Sequence, residues 1–341
     1  MKTRGIESQS TAAAGQAHRP MRLWPLLAAI PLVIAIALMA GAAGMGFPDW
    51  NTPTGRAILL LRCNRVWAGF LVGAGLAGAG VVLQALLRNP LAEPYVLGVS
   101  SGAGLGAALA VFFGLASVSV LSLPLMAFTG GALTLGLVYA LAAGGRGAPS
   151  LYGLLLSGVI VNSMGSSLLM LIVSLAPVEG MHSILWWMLG SFQMSSELML
   201  KAGTVIIAAG LVALMLLGRA VNALTLGREM AHHLGVRTGA VIAVCLLLAT
   251  MLTAAAVALS GIIGFVGLIV PHAARSWAGP DHRRLPAVAA LMGGLFLVVA
   301  DTLARTVLAP REIPIGVITA LIGGPFFLIL LHRRRKEGWV E

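Results

Sequence analysis

Residues 66–86 read VWAGFLVGAGLAGAGVVLQAL, a stretch of 21 residues without a charged side chain. Its length matches the roughly 20 apolar residues that an α-helix needs to cross a bilayer. Gly73, Gly75, Gly78 and Gly80 lie at close intervals within it. Small residues let helices approach closely where lipid provides no hydrophobic drive for association. The stretch therefore predicts a transmembrane helix that packs inside a bundle.

Similar apolar runs recur along the whole chain. Of the 341 residues, 59% are hydrophobic and 10% are charged, whereas an average soluble domain has about 25% charged residues. Such a chain needs lipid to solvate its apolar surface. Ten runs are close to the length of a spanning helix: 22–44, 66–86, 94–114, 122–143, 151–175, 199–217, 240–258, 261–278, 287–304 and 313–331. The sequence predicts an all-α polytopic membrane protein of about ten transmembrane helices, with a non-helical turn at Ser260-Gly261 as an alternative break.

Lysine and arginine are distributed unevenly between the predicted loops. If both termini are cytoplasmic, 16 of the 22 basic residues fall on the inner side and six on the outer side. The outer six are Arg56, Arg62, Arg65, Lys201, Arg305 and Arg311. This split satisfies the positive-inside rule, so membrane orientation explains the net charge of +11 better than nucleic-acid binding does. In the alternative, the first run is a cleavable signal peptide and the remaining amino terminus lies outside.

The predicted helices divide the chain into three segments. Residues 1–21 are a polar cytoplasmic extension with the composition of a disordered segment. Residues 22–335 form a ten-helix transmembrane domain that includes a cytoplasmic loop at 219–238, and residues 336–341 form a cytoplasmic tail.

Missing residue types exclude several functions. No Asp, Glu, Lys or Arg lies deep in a predicted span, whereas ion-coupled carriers need such groups near mid-bilayer. A secondary transporter of an amphiphilic solute is therefore kept only as the alternative. The chain contains no Gly-Lys pair and hence no P-loop, so any ATP must be hydrolysed by a partner. Cys63 and Cys245 are too few for a disulfide framework or a four-cysteine zinc site.

Two motifs superficially suggest catalysis or metal binding. Residues 98–102, GVSSG, match the Gly-x-Ser-x-Gly nucleophile elbow. An elbow requires a strand–turn–helix context with a base and an acid, whereas Ser100 lies in a Gly/Ala-rich helical run. His272 and His282 have no third ligand within reach in the sequence, and we expect them to fix a helix end at the membrane interface. We predict no catalytic residue, no metal site and no cofactor bound by this chain.

Residues 224–236, LTLGREMAHHLGV, form the longest non-membranous stretch on the predicted cytoplasmic side. Gly227 and Gly235 bracket a piece long enough for about two helical turns. Its two predicted faces carry Met230, Ala231 and Leu234 on one side, and Arg228 and His232 on the other. An amphipathic knob of this kind suits the groove of a partner protein, and a surface helix lying in the lipid headgroups is the alternative.

Eight short motifs follow one another along the chain. They are Arg62-x-x-Arg65, the block NPLAEP at 89–94, WMLGS at 187–191, LGREMAHHLG at 226–235, GFVGLIVPHAAR at 264–275, DHR at 281–283, Asp301-x-x-x-Arg305 and EIPIG at 312–316. In these motifs, and from about residue 22 to 335, the chain resembles the bacterial FecCD-like permeases that import iron–siderophores, haem and vitamin B12. The pair Cys63-Asn64 departs from the Leu-Pro that is often found between the two arginines.

The resemblance implies a transport subunit of an ATP-binding cassette (ABC) importer, not an enzyme in its own right. The expected location is the bacterial inner membrane, and the expected cargo is a bulky metal chelate moved from periplasm to cytoplasm. The implied partners are a second permease copy in a homodimer, two ATP-binding cassette subunits that use ATP and Mg²⁺, and a periplasmic substrate-binding protein.

The resemblance also implies three sets of functional residues. The residues expected to dock the binding protein are Arg62, Arg65 and Arg305, with Asp301 holding Arg305 when no protein is docked. The residues expected to couple the permease to the ATPase are Gly227, Arg228, Glu229, Ala231, Leu234 and Gly235, of which Ala231 and Leu234 fill the ATPase groove. The residues expected to form the cytoplasmic gate are Asn89, Pro90, Leu91, Pro149 and Ser150.

Overall fold

The structure is a computed structural model that describes residues 24–41, 44–143, 150–192 and 196–336. The predicted extension 1–21 lies outside these residues, as does the predicted tail 336–341 except for Lys336. The described chain is mostly helical, which confirms the all-α prediction. Its helices are α1 (Trp24–Met39), α2 (Pro53–Leu86), α3 (Val99–Phe112), α4 (Leu115–Val118), α5 (Ser122–Ala143), α6 (Leu151–Leu175), α7 (Val178–Met188), α8 (Glu197–Leu216), α9 (Gly218–Thr225), α10 (Arg228–His233), α11 (Thr238–Ser260), α12 (Val266–Ala278), α13 (Leu285–Thr306) and α14 (Ile315–Lys336). The other elements are a 3₁₀ helix at Pro94–Leu97 and two strands, β1 (Ala40–Gly41) and β2 (Gly44–Met45).

Six helices of the described chain are long and apolar enough to cross a membrane: α2, α5, α6, α8, α11 and α13. Three shorter apolar helices lie at Pro25–Met39, Val99–Phe112 and Ile315–Leu330. All nine coincide with runs predicted from the sequence. The remaining run, 261–278, begins with a non-helical stretch, because α11 ends at Ser260 and α12 starts at Val266. The alternative break at Ser260-Gly261 is therefore the one that the structure adopts.

The central helix α2 starts 13 residues earlier than the predicted residue 66, at Pro53. It has 34 residues, which corresponds to a length of about 51 Å. The hydroxyl of Thr52 accepts a hydrogen bond from the backbone N–H of Gly55 at 3.0 Å, and Pro53 occupies the first turn. Both are typical starts of a helix. The sequence-based boundary was too late because three arginines interrupt the apolar pattern before residue 66.

Two elements differ from the runs seen in the sequence. The run 22–44 is not helical to its end, since α1 stops at Met39 and the chain continues as a hairpin in which Ala40 pairs with Met45. Helix α7 was not predicted as a separate element. Its 11 residues include Glu179 and His182 and are too few and too polar to be recognised as a span.

Glycines place α2 at the centre of the bundle. A Cβ atom on Gly73 would lie 2.0 Å from the carbonyl oxygen of Gly293 in α13, and one on Gly80 would lie 2.1 Å from that of Gly267 in α12. Such approaches exclude any side chain, which confirms the predicted close packing through glycine. In the most apolar window of α2, 89% of the residues are buried, against 22% in α5 and 28% in α6. The apolar faces of α5 and α6 therefore point away from the protein interior.

Candidate functional site

Four ionisable side chains from three regions of the chain meet at the end of the bundle where α1 terminates. We call Arg65, Asp301, Arg305 and Glu312 the charge cluster. The Arg65 guanidinium donates to Asp301 Oδ1 at 2.9 Å and to both carboxylate oxygens of Glu312 at 3.0 Å. Arg305 Nε lies 3.2 Å from Asp301 Oδ2, one helical turn away on α13. The Asp301 side chain is only 2% exposed, so its charge is stabilised by these partners and not by water.

Two arginines satisfy backbone carbonyl groups where α1 ends. Arg62 Nη1 donates to the carbonyl oxygens of Leu38 at 2.7 Å and Met39 at 3.1 Å. Arg305 donates to those of Ala37 at 2.8 Å and Ala40 at 2.9 Å. The last four carbonyls of a helix lack helical partners and carry a partial negative charge. The two guanidinium groups therefore cap α1 from the neighbouring helices α2 and α13.

These contacts give a structural role to the three arginines that were expected to dock a binding protein. The structure brings Arg62, Arg65 and Arg305 to one end of the bundle, and the expected contact between Asp301 and Arg305 is present. However, the side chains of Arg65 and Arg305 are only 14% and 3% exposed. Arg62 and Arg65 were expected at the end of a helix, but they lie within α2, which begins at Pro53, and α1 ends against Arg62 and Arg305.

The coupling segment, residues 227–235, lies between α9 and α11 and contains α10. Gly227 and Gly235 have backbone φ angles of +125° and +80°, which favour glycine. The chain thus enters and leaves this short helix through two sharp turns. Met230 and Leu234 are exposed by 53% and 60%, and Arg228 and Glu229 are also exposed. The segment presents apolar and charged side chains together on the surface.

Ala231 does not share that exposed face, and its expected role needs correction. Its side chain is fully buried against its own chain, and the backbone N–H of Val236 donates to its carbonyl oxygen at 3.0 Å. It therefore anchors α10 to the bundle and is unavailable to fill the groove of another protein. Met230 provides the exposed apolar surface next to Leu234 instead.

Arg88 connects the coupling segment to the end of α2. Its Nη2 lies 3.4 Å from the carbonyl oxygen of Leu224 in α9. A Cβ atom on Gly227 would come within 2.8 Å of the same nitrogen, so the guanidinium lies directly against the start of the coupling segment. Arg88 also has a φ of +45°, in the left-handed region where glycine is the usual residue at the end of a helix. Arg88 is not among the predicted functional residues, although its place directly before Asn89-Pro90 is a signal visible in the sequence.

The loop between α12 and α13 is attached to α9 by a polar cluster. The side-chain amide of Asn222 donates from Nδ2 to Asp281 Oδ1 at 2.7 Å, and its Oδ1 accepts a hydrogen bond from the backbone N–H of His282 at 2.9 Å. Hydrogen bonds from Arg283 hold the pKa of Asp281 well below its usual value. Burial, and after it the nearby positive charge of Arg275, lowers the pKa of His282 to about 4. His282 is therefore neutral at pH 7, as expected for a residue that fixes a helix end.

A second polar contact joins α2 to α12. The side-chain amide of Gln84, which is 3% exposed, donates to the carbonyl oxygen of Gly267 at 3.1 Å. Its amide oxygen accepts a hydrogen bond from Arg275. The end of α2, the coupling segment and the loop after α12 are therefore linked through side chains at one end of the bundle.

The expected gate residues that the structure describes are Asn89, Pro90, Leu91 and Ser150, and they lie at this same end. Asn89 Oδ1 accepts the backbone N–H of Leu91 at 2.9 Å and thereby closes the turn around Pro90. Leu91 is exposed by 37%. Ser150 is exposed, and its hydroxyl caps α6 by accepting the N–H of Gly153 at 2.9 Å. Pro149 lies outside the described residues.

The serine and histidine motifs have structural partners. Ser101 is 4% exposed and donates to the carbonyl oxygen of Gly98 at 3.0 Å within the start of α3. This helical setting lacks the strand that a nucleophile elbow requires. The ring of His272 packs edge-on against Phe326 at 6.1 Å. Among the described residues, no group of three or more His, Cys, Asp and Glu side chains is placed to hold a metal ion.

Comparisons with known proteins agree with this architecture. The hemin transport system permease protein HmuU of Yersinia pestis is 38% identical over 320 residues, which cover 90% of this chain and 95% of that protein. The cobalamin import system permease protein BtuC of Halobacterium salinarum is 43% identical over 80% of this chain and 73% of its own length. A structure described as an inward-facing conformation of a metal-chelate type ABC transporter matches with a TM-score of 0.84 at 34% identity, covering 92% of this chain and all of the other.

The family comparison covers nearly the whole transmembrane domain. Residues 26–333 match the FecCD transport family. This range includes most of α1, all of α2 to α13, most of α14 and each of the eight motifs that indicated the resemblance. The resemblance seen in the sequence is thereby confirmed, and the chain belongs to the FecCD transport family.

Proposed function

We propose that this protein is the membrane-spanning permease subunit of an importer that moves a bulky metal chelate into the cytoplasm, driven by ATP hydrolysis on separate subunits. The observation that carries the proposal is the coupling segment, a short helix with exposed Met230 and Leu234 that is fixed to the bundle through buried Ala231. An exposed apolar contact surface on a rigid base is suited to a partner's groove. The related permeases named for hemin and cobalamin support a chelate of that class as cargo.

The membrane topology proposed here has ten spans and cytoplasmic termini in a bacterial inner membrane. The six long apolar helices and the three shorter ones provide nine of these spans. Helix α12, together with the stretch before it, provides the tenth. The excess of Lys and Arg on the loops assigned to the cytoplasm supports this orientation. It places the coupling segment inside the cell and the charge cluster toward the outside.

The buried charged side chains of the described chain argue against a secondary transporter. A proton- or Na⁺-coupled carrier needs an ionisable group that changes its partner or protonation state during transport. In the described chain, Asp301 is held between Arg65 and Arg305, and Glu312 also pairs with Arg65. A cluster that is paired in this way stabilises structure. The absence of a P-loop in the sequence then assigns ATP and Mg²⁺ to partner subunits.

Arg88 couples movement of the coupling segment to the gate. An arginine in the left-handed conformation costs about 1–2 kcal/mol more than in a helical conformation, so its side chain must offset this strain. Arg88 contacts the carbonyl group of Leu224 on one side and precedes Asn89-Pro90-Leu91 on the other. When ATP closes the partner subunits, the coupling segment and the end of α2 therefore shift together. This shift opens or closes the passage at Leu91 and Ser150.

A second copy of the chain completes the passage. Helix α6 follows Ser150 and exposes a stripe of apolar side chains at spacings of about four residues. The stripe consists of Tyr152, Leu156, Ile160, Met164, Leu168, Leu171 and Leu175. A twofold axis beside α6 would bring the two gate regions together, since an isologous interface pairs the same surface on both copies. The homodimer is thus the proposed assembly.

The outer end of the bundle is the proposed docking surface for a periplasmic binding protein. Arg62 and Arg65 are both partly exposed, whereas Arg305 is buried behind them. A positive surface steers acidic groups of a partner toward it in a salt-dependent manner. Two such surfaces in a dimer would engage two lobes of one binding protein.

The proposed function is tested by co-expressing the chain with its ATP-binding cassette partners and reconstituting the complex in liposomes. Leu234→Asp places a charge in the proposed ATPase contact and is expected to abolish co-purification or to uncouple hydrolysis from uptake. Met45→Asp is the matched control for co-purification with the ATPase subunits and for basal hydrolysis, because Met45 is 78% exposed at the opposite end of the bundle. Normal assembly and coupled uptake in Leu234→Asp would contradict the proposal. Uptake driven by a pH or Na⁺ gradient without ATPase subunits would favour a secondary transporter.

A further inference from the structure

A cavity of about 660 Å³ lies beside α7, among the ends of α3 and α11 and the start of α5. This size is within the range of about 300–1,000 Å³ that is typical of small-molecule sites. Its wall includes Glu179, His182, Ser183 and Trp186 from α7. In the proposed topology, this end of the bundle faces the outside of the cell. The cavity is thus reached by cargo before the gate at Asn89-Pro90-Leu91.

The four α7 side chains share one helix face. Their spacings of three, four and seven residues from Glu179 correspond to one and two helical turns. The rings of His182 and Trp186 are parallel within 13°, with centroids 5.8 Å apart. Ser183 donates its hydroxyl proton to the carbonyl oxygen of Glu179 at 2.9 Å and so remains close to the helix. The stacked indole limits rotation of the His182 imidazole, which forms part of the cavity wall.

Two other cavities in the described chain differ in chemistry. One of about 290 Å³ lies between α5, α8 and α11 and is lined by Leu, Ile, Met, Phe, Pro, Ala and Gly side chains. The other, of about 340 Å³, adds only the hydroxyl groups of Tyr139 and Thr250 to a similar lining. Neither contains an imidazole or a carboxylate. Lipid tails suit these two cavities, whereas the cavity beside α7 combines aromatic rings, serine hydroxyls and a metal-binding side chain.

We infer that the cavity beside α7 is an entry site for an iron porphyrin, with His182 as an axial ligand to the iron and Trp186 as the residue that positions the imidazole. This inference rests on the proposed function and narrows its cargo. Imidazole is a common ligand of haem iron, and an iron porphyrin has open axial positions. A hexadentate siderophore leaves no coordination position open for a histidine. The imidazole therefore favours the porphyrin over a hexadentate siderophore, and the uptake comparison with cyanocobalamin separates the porphyrin from a corrin.

The remaining polar groups set the orientation of the porphyrin. Glu179 carries a carboxylate at the cavity wall, so the negatively charged propionates are directed away from it. Hydroxyl groups of Ser117 and Ser191 lie elsewhere on the wall and can donate hydrogen bonds to propionate oxygens. A single axial ligand gives binding weak enough for release into the passage, as transport requires.

Titration of the full-length protein in lipid nanodiscs with hemin tests this inference. We expect a shift of the Soret band and quenching of tryptophan fluorescence in the wild type. His182→Ala is expected to weaken hemin binding at least tenfold, which corresponds to about 1.4 kcal/mol. Trp186→Ala is expected to weaken it by about 10-fold, because it removes the residue that orients the ligand, whereas Trp186→Phe retains the stacking and most of the affinity. His332→Ala is the matched control, since His332 is exposed at the far end of α14.

Metal-free protoporphyrin IX distinguishes ligation of the iron from recognition of the shape of the porphyrin ring. It has the ring and propionates of hemin but no iron, so it should bind more weakly than hemin and be insensitive to His182→Ala. Equal binding of hemin to wild type and His182→Ala, or equal effects of His182→Ala on both porphyrins, would overturn the inference. ATP-dependent uptake by the reconstituted wild-type complex is measured in parallel with hemin, cyanocobalamin and ferrichrome. Uptake of one of the latter two, without hemin binding at α7, would retain the proposed function and refute only the porphyrin site.

Discussion

The charge cluster makes a quantitative prediction for Asp301→Asn. The substitution keeps the shape of the side chain but removes a carboxylate that lies 2.8 Å from Arg65 Nη2 and 3.2 Å from Arg305 Nε. Two guanidinium groups are then left around a neutral amide in a buried site. Breaking a buried ion pair from one side typically costs about 3–5 kcal/mol. Glu312 remains paired with Arg65. We therefore expect the free energy of unfolding to fall by about 3 kcal/mol, near the lower limit of this range.

This loss of stability should appear first where α1 meets the rest of the bundle. Arg305 binds the carbonyl oxygens of Ala37 and Ala40. In the variant, the carboxylate of residue 301 no longer holds the Arg305 guanidinium in the orientation that makes these contacts. The expected result is a denaturation midpoint lowered by several degrees in detergent, together with faster protease cleavage near residues 40–50. Unfolding is followed by tryptophan fluorescence in heat and denaturant series.

An exposed ion pair provides the control for this prediction. Lys201 Nζ lies 2.8 Å from Glu197 Oε1, and both side chains are more than two-thirds exposed, at 72% and 75%. Glu197→Gln should leave the midpoint almost unchanged, because surface ion pairs contribute little to stability. If Asp301→Asn and Glu197→Gln have the same midpoint, the buried cluster does not stabilise the fold, and our account of its arginines as structural groups is refuted.

Four further outcomes are expected. Arg88→Gly should lower the uptake per ATP hydrolysed while leaving the unfolding midpoint near that of the wild type, since relief of left-handed strain offsets the added chain entropy; unchanged coupling would remove Arg88 from the route to the gate. Cysteines at Asn89 or Ser150 in a cysteine-free variant should cross-link the two permease copies in a nucleotide-dependent manner, and cross-linking that is indifferent to nucleotide would place the gate elsewhere. Arg62→Glu should weaken docking of the binding protein, as added salt does for the wild type, and equal affinity at low salt would contradict this role. The folded-state pKa of His282 is lowered to about 4, so the unfolded chain takes up a proton first and stability falls from about pH 6.5 toward pH 4; His282→Gln should flatten that pH dependence, and an unchanged slope would assign it to other groups.

Much of the fold was predictable because lipid imposes a simple rule on the sequence. Each spanning helix must satisfy its backbone internally and expose apolar side chains, so it appears as a run of about 20 apolar residues. This rule located all nine apolar helices and missed α7, whose Glu179 and His182 break the pattern. It also placed the start of α2 too late. The arginines before residue 66 resemble a loop until their partners on α13 and beyond are known.

The candidate site was predictable where local backbone chemistry determined it. Gly227 and Gly235 indicated a short helix between two turns, and both have positive φ angles in the structure. Asn89-Pro90 likewise indicated the turn after α2. The side of α10 that faces the protein was not predictable, because a helix of six residues has too few apolar positions to define a face. Ala231 was for that reason assigned to a partner's groove, when it is buried in its own chain.

The sequence by itself determined that this is a helical membrane protein of the FecCD type, because apolar run length, basic-residue asymmetry and motif order are all properties of the linear chain. Only the tertiary structure decided what the charged residues do. Arg65 lies 236 positions from Asp301 and 247 from Glu312, and Arg305 binds the carbonyl oxygen of Ala40, 265 positions earlier, just after the end of α1. Such pairs form because a charge that leaves water must find an opposite charge or a carbonyl dipole nearby. Which group is nearby depends on how the helices pack, and that information is absent from any single stretch of sequence.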